Sequence, residues 1–311
     1  MKNEKLLAYA AFGIVCLVWG TTYLAIRIAV TTVPPMMLTG TRYTIAGLIM
    51  LAVLKLRGEK LPRDRRTLIE LAIVGTLLVA GGNLSVIWAE QYVPSGMAAL
   101  LVATAPFWAA ILEAVRKNGE QIGLRRGTGM LVGFLGVVLL VAPGAVTGNY
   151  STKFLLGAFA IQVGSFCWQY GMVRGKHNVH GITPMQSATV QMLAGGVLVL
   201  VVGLAIGEGK NYVFTTQTFA ATAYLTLFGS VIAYSAFIYA LAHMKATNLS
   251  LYAYVNPAVA VVLGWLILDE KLTSMSIVAM AVILGGVAIV QTARGESKPA
   301  APVAQEQQRA A

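Results

Sequence analysis

Charge is what this 311-residue chain has least of. Asp, Glu, Lys and Arg make up 11% of it, where a soluble domain carries about a quarter. Cysteine is almost absent. The two present, Cys16 and Cys167, both fall inside apolar runs, which excludes a disulfide framework or a thiolate metal site. Aspartate occurs twice, at Asp64 and Asp269. The three histidines (His177, His180, His243) lie in loops or at a run's end, so no intramembrane metal or general-base cluster is expected. No phosphate loop of the GxxxxGK[ST] type and no GxGxxG after a strand is present. The sequence therefore predicts neither an enzyme nor a bound cofactor. The net charge of +11 sits between apolar runs rather than on one face, so nucleic acid is not an expected partner either.

What is abundant is apolar length. Hydrophobic residues make up 57% of the chain and the mean hydropathy is +0.73. Ten runs follow one another at roughly 6–27, 35–56, 68–89, 95–115, 124–142, 154–173, 183–206, 217–241, 247–268 and 273–292. Each has about the 20 residues that a helix needs to cross a bilayer core. Stretches such as Leu71 to Val86 do not alternate in polarity, which rules out barrel strands. The first run is too long for the apolar part of a signal peptide, and Trp19, Thr21, Thr22 and Tyr23 stand where small cleavage-site residues would be. The expected fold is an all-α membrane protein with ten transmembrane helices, its lipid partner the bilayer itself. With the N-terminus inside, eighteen Lys and Arg fall on the inner side and four on the outer, Arg42 lying within a run. That asymmetry predicts both termini in the cytoplasm.

The chain also repeats itself. Trp19 matches Trp168, Pro35-Met36 matches Pro184-Met185, and Gly47 matches Gly196. Farther on, Trp88-Ala89 matches Tyr239-Ala240, Pro106 matches Pro257, Glu120 matches Glu270 and Gly136 matches Gly286. The order is kept and the offset is nearly constant. The expected organisation is a five-helix repeat over 1–150, a second over 151–292 and a polar, disordered tail over 293–311. Five is odd, so the second copy enters the membrane inverted, an arrangement that places a substrate site near the midplane between halves. Such a pair completes its own cavity, so a monomer suffices.

Two groups of residues carry a family resemblance: Leu17-Val18-Trp19-Gly20-Thr21-Thr22-Tyr23-Leu24 with Arg42-Tyr43-Thr44-Ile45-Ala46-Gly47, and Asn256-Pro257-Ala258 with Leu268-Asp269-Glu270-Lys271. From 6 to about 292 the chain resembles the drug/metabolite transporter superfamily. More narrowly it is similar to the EamA-type ten-helix exporters, a group that includes the YddG-like amino acid exporters. The resemblance implies a central cavity lined mainly by helices 1, 3, 4, 6, 8 and 9, alternating access, and export across a bacterial inner membrane. Its motifs shape helices and turns, so they speak to fold more than to cargo.

The residues that would line such a cavity are polar or aromatic and fall at helical spacing. Tyr252 and Asn256 continue a stripe from Asn248; Gln162, Ser165 and Gln169 form another, with Trp168 beside it. Trp19 and Tyr23 come from the first run, Asn83 from the third, Thr104 and Trp108 from the fourth, and Tyr234 from the eighth. Facing lipid these groups are costly, so they are expected to face the interior; the alternative is that they bond neighbouring helices. Tyr92, Tyr150, Tyr170 and Tyr212, near run ends, fit an interfacial belt instead. Pro106 and Pro257 are expected to kink helices 4 and 9, either flanking the site or only shaping the bundle. Arg42 and Glu90 stand at depths that allow an ion pair near the outer mouth, with Glu90 a candidate for proton coupling; otherwise Arg42 snorkels to the surface. Glu113 is expected to pair with Arg116 and Lys117 at the interface. The substrate expected is a small amphipathic metabolite, an amino acid or analogue, ahead of drugs, quaternary amines or nucleosides. A membrane enzyme or scaffold is the reading from another class.

Overall fold

The computed structural model of the protein describes residues 2–115, 122–146, 150–178, 181–213, 215–243, 249, 252–271 and 273–293. The tail from 294 onward, Arg116, Lys117, Glu120, His180 and Asn248 lie outside them. The described residues form ten helices: α1 (Lys2–Ala29), α2 (Pro35–Leu56), α3 (Arg65–Ala89), α4 (Ser95–Ala114), α5 (Leu124–Val146), α6 (Thr152–Asn178), α7 (Pro184–Ala205), α8 (Thr216–Leu241), α9 (Tyr252–Leu268) and α10 (Ser274–Ala293). Seven are long and apolar enough to cross a membrane, while α9 and α10 contain shorter apolar helices. The sixth is long but more polar, because it carries Gln162, Ser165 and Gln169.

Packing follows the repeat. α2 lies along α7, and α5 along α10. α1 packs on α8 and α9, and its counterpart α6 packs on α3 and α4. Each pair thus reappears five helices later with the halves exchanged. The fold is a pair of inverted five-helix repeats whose helices interlock across the seam.

Helix starts explain several repeat matches. Pro35 and Pro184 each occupy the first helical position, where a missing N–H costs nothing. Loop carboxylates then cap the other half's helices. Glu208 Oε2 accepts from Met36 N (2.9 Å) and Met37 N (3.2 Å) at the start of α2. Its repeat counterpart, Glu59, accepts from the Thr183 hydroxyl (3.3 Å) at the start of α7. Glu270 accepts from Ser95 N (2.7 Å) and Oγ (2.9 Å) with one oxygen and from Gly96 N (3.1 Å) with the other. A carboxylate at a helix N-terminus satisfies orphan donors and meets the positive end of the dipole. The Asp269-Glu270 turn is shaped for this: Asp269 adopts φ 52°, closing α9, and Gly264 leaves the space that Glu270 occupies.

Close helix contact needs glycine at a few points. A Cβ on Gly196 of α7 would stand 2.6 Å from the backbone N of Thr44 on α2. Backbone cannot swing aside as a side chain does, so overpacking here exceeds the usual ~1–3 kcal/mol. We expect Gly196→Val to cut the monodisperse folded fraction severalfold on size-exclusion chromatography, whereas Gly13→Val, with open space around it, leaves it unchanged.

Two features depart from regular α-helix. In α3, residues Leu77–Asn83 are π-helical, and in α8 residues Leu225–Ile232 are; the two segments start 148 residues apart, so they too are repeat mates. The other departure is in α4, which breaks at Ala103 and Thr104. Pro106 therefore stands in the first turn of the new helical segment rather than mid-helix. The expected kink is replaced by a break just ahead of it, where the proline's missing donor would have been orphaned in any case. Pro257 lies inside α9.

Candidate substrate cavity

At the seam between the halves is a cavity of about 100 Å³, room for several waters. α1 contributes Trp19, Thr22, Tyr23 and Ile26, four residues at one helical spacing. α2 contributes Arg42 and Tyr43, α3 Gly82, Asn83 and Val86, and α4 Val102 and Ala105. α6 contributes Gly164, Ser165 and Trp168, and α9 Tyr252 and Asn256.

Of the sequence candidates, Trp19, Tyr23, Asn83, Ser165, Trp168, Tyr252 and Asn256 are brought together on this wall. Thr104, Trp108 and Gln162 form a separate cluster at the break in α4. Gln162 Nε2 donates to the Leu101 carbonyl (3.0 Å), and its Oε1 accepts from Trp108 Nε1 (3.2 Å) and the Thr104 hydroxyl (2.9 Å). Tyr234 is fully buried and donates to Gln191 Oε1 (2.6 Å) on α7. Gln169 is half-buried on α6 and is not part of the wall.

The resemblance implied helix 8 among the walls; among the described lining residues α2 takes that place. The π turns of α8 explain the exchange. Wound with i→i+5 bonds, they release carbonyls and widen the helix, and the Gly229 carbonyl so released accepts from Trp19 Nε1 (3.2 Å). Gly229 also lacks the Cβ that would stand 2.9 Å from Arg42 Nη2. The Arg42 side chain therefore lies across α8 and covers it.

Arg42 neither snorkels nor pairs with Glu90. It is 2% exposed and donates from Nε to the Ser230 hydroxyl (2.7 Å), with its guanidinium over the Tyr43 ring at 4.9 Å. Glu90 is fully buried at the end of α3 with neither carboxylate oxygen bonded to protein, and Arg27 donates to its main-chain carbonyl. The two charged groups are fixed by different neighbours, which leaves no route to an ion pair. Two polar groups of the wall's own residues, Arg42 Nη1 and Ser165 Oγ, are buried without a protein partner. Buried polar groups seldom stay orphaned, so both count as unmet hydrogen-bonding capacity in the wall.

Aromatic rings close the cavity on the side toward the N-terminus. Trp19 meets Trp168 edge-on at 5.8 Å, Tyr252 edge-on at 5.5 Å and Phe237 tilted at 4.9 Å. Asn256 ties α9 to α1 there: in the amide orientation that satisfies both atoms, its nitrogen donates to the Cys16 carbonyl (2.9 Å) and the Tyr252 carbonyl (3.2 Å). Beyond this floor lies a second pocket of about 560 Å³ at the end of the bundle where α1 begins and α2 finishes, lined by Leu7, Ile14, Arg57, Met185 and His243 among others. Along α1 the order is Leu7 to Ile14 on this pocket, Val15 fully buried, then Trp19 to Ile26 on the central cavity.

The sequence reading missed as wall residues the small or aliphatic Gly82, Val86, Val102, Ala105 and Gly164, Arg42, and also Thr22, Ile26 and Tyr43. Thr22 and Ile26 share a helical face with Trp19 and Tyr23, so the signal for those two was present in the spacing.

Comparison with known proteins agrees with this architecture. The model of the EamA-like transporter family matches residues 6–142 and again 155–292. An inner membrane transporter of Escherichia coli (strain K12), YedA, described as uncharacterized, is 37% identical over 292 residues, covering 93% of this chain and 92% of its own. A protein of Streptantibioticus cattleyicolor named "Probable terminal-alkyne amino-acid exporter" is 26% identical over 293 residues, covering 93% and 94%. A solved crystal structure superposes with a TM-score of 0.67 at 20% identity, covering 93% of this chain and 97% of that one, a likeness of fold alone.

Proposed function

This chain belongs to the EamA-like transporter family, and from that premise we propose that it exports small amphipathic metabolites, amino acids and their analogues first among them. That it is a multi-pass inner membrane transporter follows from the family and from its relative in Escherichia coli. The cargo reading is ours. One observation carries it: the central wall combines the rings of Trp19, Trp168 and Tyr252 with unpartnered polar groups. A solute with an apolar body and a polar head satisfies both, whereas a purely apolar one would leave Arg42 Nη1 and Ser165 Oγ orphaned. The relative named as an amino-acid exporter supports the same reading.

The mechanism in this reading is rocking of the halves, 1–150 against 151–292, about the break in α4 and the π turns of α3 and α8. These are the places where regular helix hydrogen bonding already lapses. Solute enters from the pocket at the α1 end, which this reading takes as cytoplasmic, with both termini, on the strength of the eighteen-to-four charge asymmetry. The aromatic floor at Trp19, Phe237 and Tyr252 opens and closes that route. Glu90 is the proton-carrying group.

The test is counterflow of labelled amino acids in reconstituted vesicles, with and without a pH gradient. The expected result is saturable exchange that a pH gradient stimulates, the stimulation being lost in Glu90→Gln while exchange persists. No exchange of any amino acid would reject the cargo, and stimulation surviving in Glu90→Gln would reject the coupling role.

A further inference from the structure

We propose that Arg42 is the carboxylate-recognising group of the central cavity, so that an accepted solute must carry a free carboxylate. The inference rests on the transport reading above and deepens it by fixing one charge of the cargo.

A guanidinium keeps its charge at every working pH. An isolated one at bilayer depth is expensive, and residues of this kind mark substrate or ion pathways. The usual remedy is a protein carboxylate, and among the described residues none pairs with Arg42. Glu90 is the only buried acidic side chain described, and its oxygens bond nothing in the protein. What Arg42 has instead is a hydroxyl at Nε, a ring face beside it and a buried Nη1 with no partner. Ser230 and the missing Cβ of Gly229 fix the planar fork in place. The neighbourhood holds the cation without neutralising it.

The consequence is selective. Arg42 is the one charged side chain among the described lining residues. The cavity therefore draws a negative group and repels a net cation, which sets quaternary amines and cationic drugs at a disadvantage. Arg also presents parallel donors that match a carboxylate in a way that a Lys ammonium cannot. A zwitterion satisfies the whole wall: its carboxylate meets Arg42, and its ammonium finds the ring faces of Trp19, Trp168 and Tyr252.

The experiment uses the full chain, purified and reconstituted. A panel of L-amino acids and simple aryl monocarboxylates, each paired with its carboxamide, is titrated against tryptophan fluorescence, to which the wall indoles of Trp19 and Trp168 contribute, and then run in counterflow. In the wild type the free acids are expected to bind at least about tenfold more tightly than their amides. Arg42→Gln removes that preference, and Arg42→Lys keeps part of it. Where Arg42→Gln fails to fold, Ser230→Ala, which frees Nε without removing the charge, is expected to reduce the preference. Acids and amides bound alike by the wild type, preference unchanged in Arg42→Gln (or, failing it, in Ser230→Ala), or no acid bound at all would each overturn the proposal. Monocarboxylates bound with amino acids refused would leave Arg42 in its role and reject the amino acid cargo.

Discussion

Tyr252→Leu is expected to lower counterflow by at least about tenfold, equivalent to ~1.4 kcal/mol, with folded yield unchanged. Tyr252 lines the central cavity and meets Trp19 edge-on at 5.5 Å and Phe237 at 5.9 Å. Each such pair is worth ~0.5–1.5 kcal/mol beyond area, so the ring both shapes the floor and offers a face to solute. Leucine keeps most of the apolar volume and removes the ring, which separates contact with solute from support of the fold; Tyr252→Ala would add a cavity cost to both. Trp108→Leu is the contrasting case. Trp108 reaches Gln162 and packs on Phe134 and Phe166, but it does not border the cavity. Its loss is expected to lower thermal stability while leaving the apparent affinity for solute within about twofold. Equal loss of transport in both variants at equal folded yield would show that lining the cavity is not what matters.

The contrast between these two residues shows how far the sequence could be read. Helix identity, number and pairing follow from apolar run length and repeat offsets, because the bilayer enforces both. A helical stripe such as Tyr252 with Asn256, or Gln162 with Ser165, tells which residues share a face. It does not tell whether that face meets water or another helix, and here the stripes divided. Ser165 reached the cavity, while Gln162 turned to the backbone of α4. That outcome depended on the break at Ala103 and Thr104, which no residue type announces; Pro106 pointed to the neighbourhood and gave the wrong form of irregularity. The π turns were hidden for a similar reason. The wider winding is set by what packs beside the helix, which for α8 is the Trp19 indole of α1 and the Arg42 guanidinium of α2. Arg42 was legible as an anomaly and not as a wall residue, since depth along a helix gives no azimuth.

The break itself yields the second expectation, that Gln162→Leu destabilises the protein by about 2 kcal/mol and does so through α4. A helix interrupted inside a membrane must re-satisfy the carbonyls it releases. The Leu101 carbonyl accepts from Gln162 Nε2 at 3.0 Å and lies 2.7 Å from the Thr104 hydroxyl, while Phe107 N closes a short turn on the Thr104 carbonyl at 2.9 Å. The Thr104 hydroxyl also faces Gln162 Oε1, and its single proton serves one acceptor at a time. One amide from α6 thus holds a carbonyl in the last turn before the break and the Trp108 indole after it. Leucine of similar size removes the bonds that Gln162 itself makes and leaves the indole N–H orphaned. An orphaned buried group costs ~1–3 kcal/mol, whereas a single membrane hydrogen bond averages ~0.6, so the sum falls between those bounds. The identity of the cause is checked by a cycle. Trp108→Phe removes the stranded donor, so Gln162→Leu in that background is expected to cost less than it does alone, a coupling that thermal unfolding in detergent resolves. Strict additivity of the two changes would mean that Gln162 acts without the indole, through its bond to the Leu101 carbonyl or through packing.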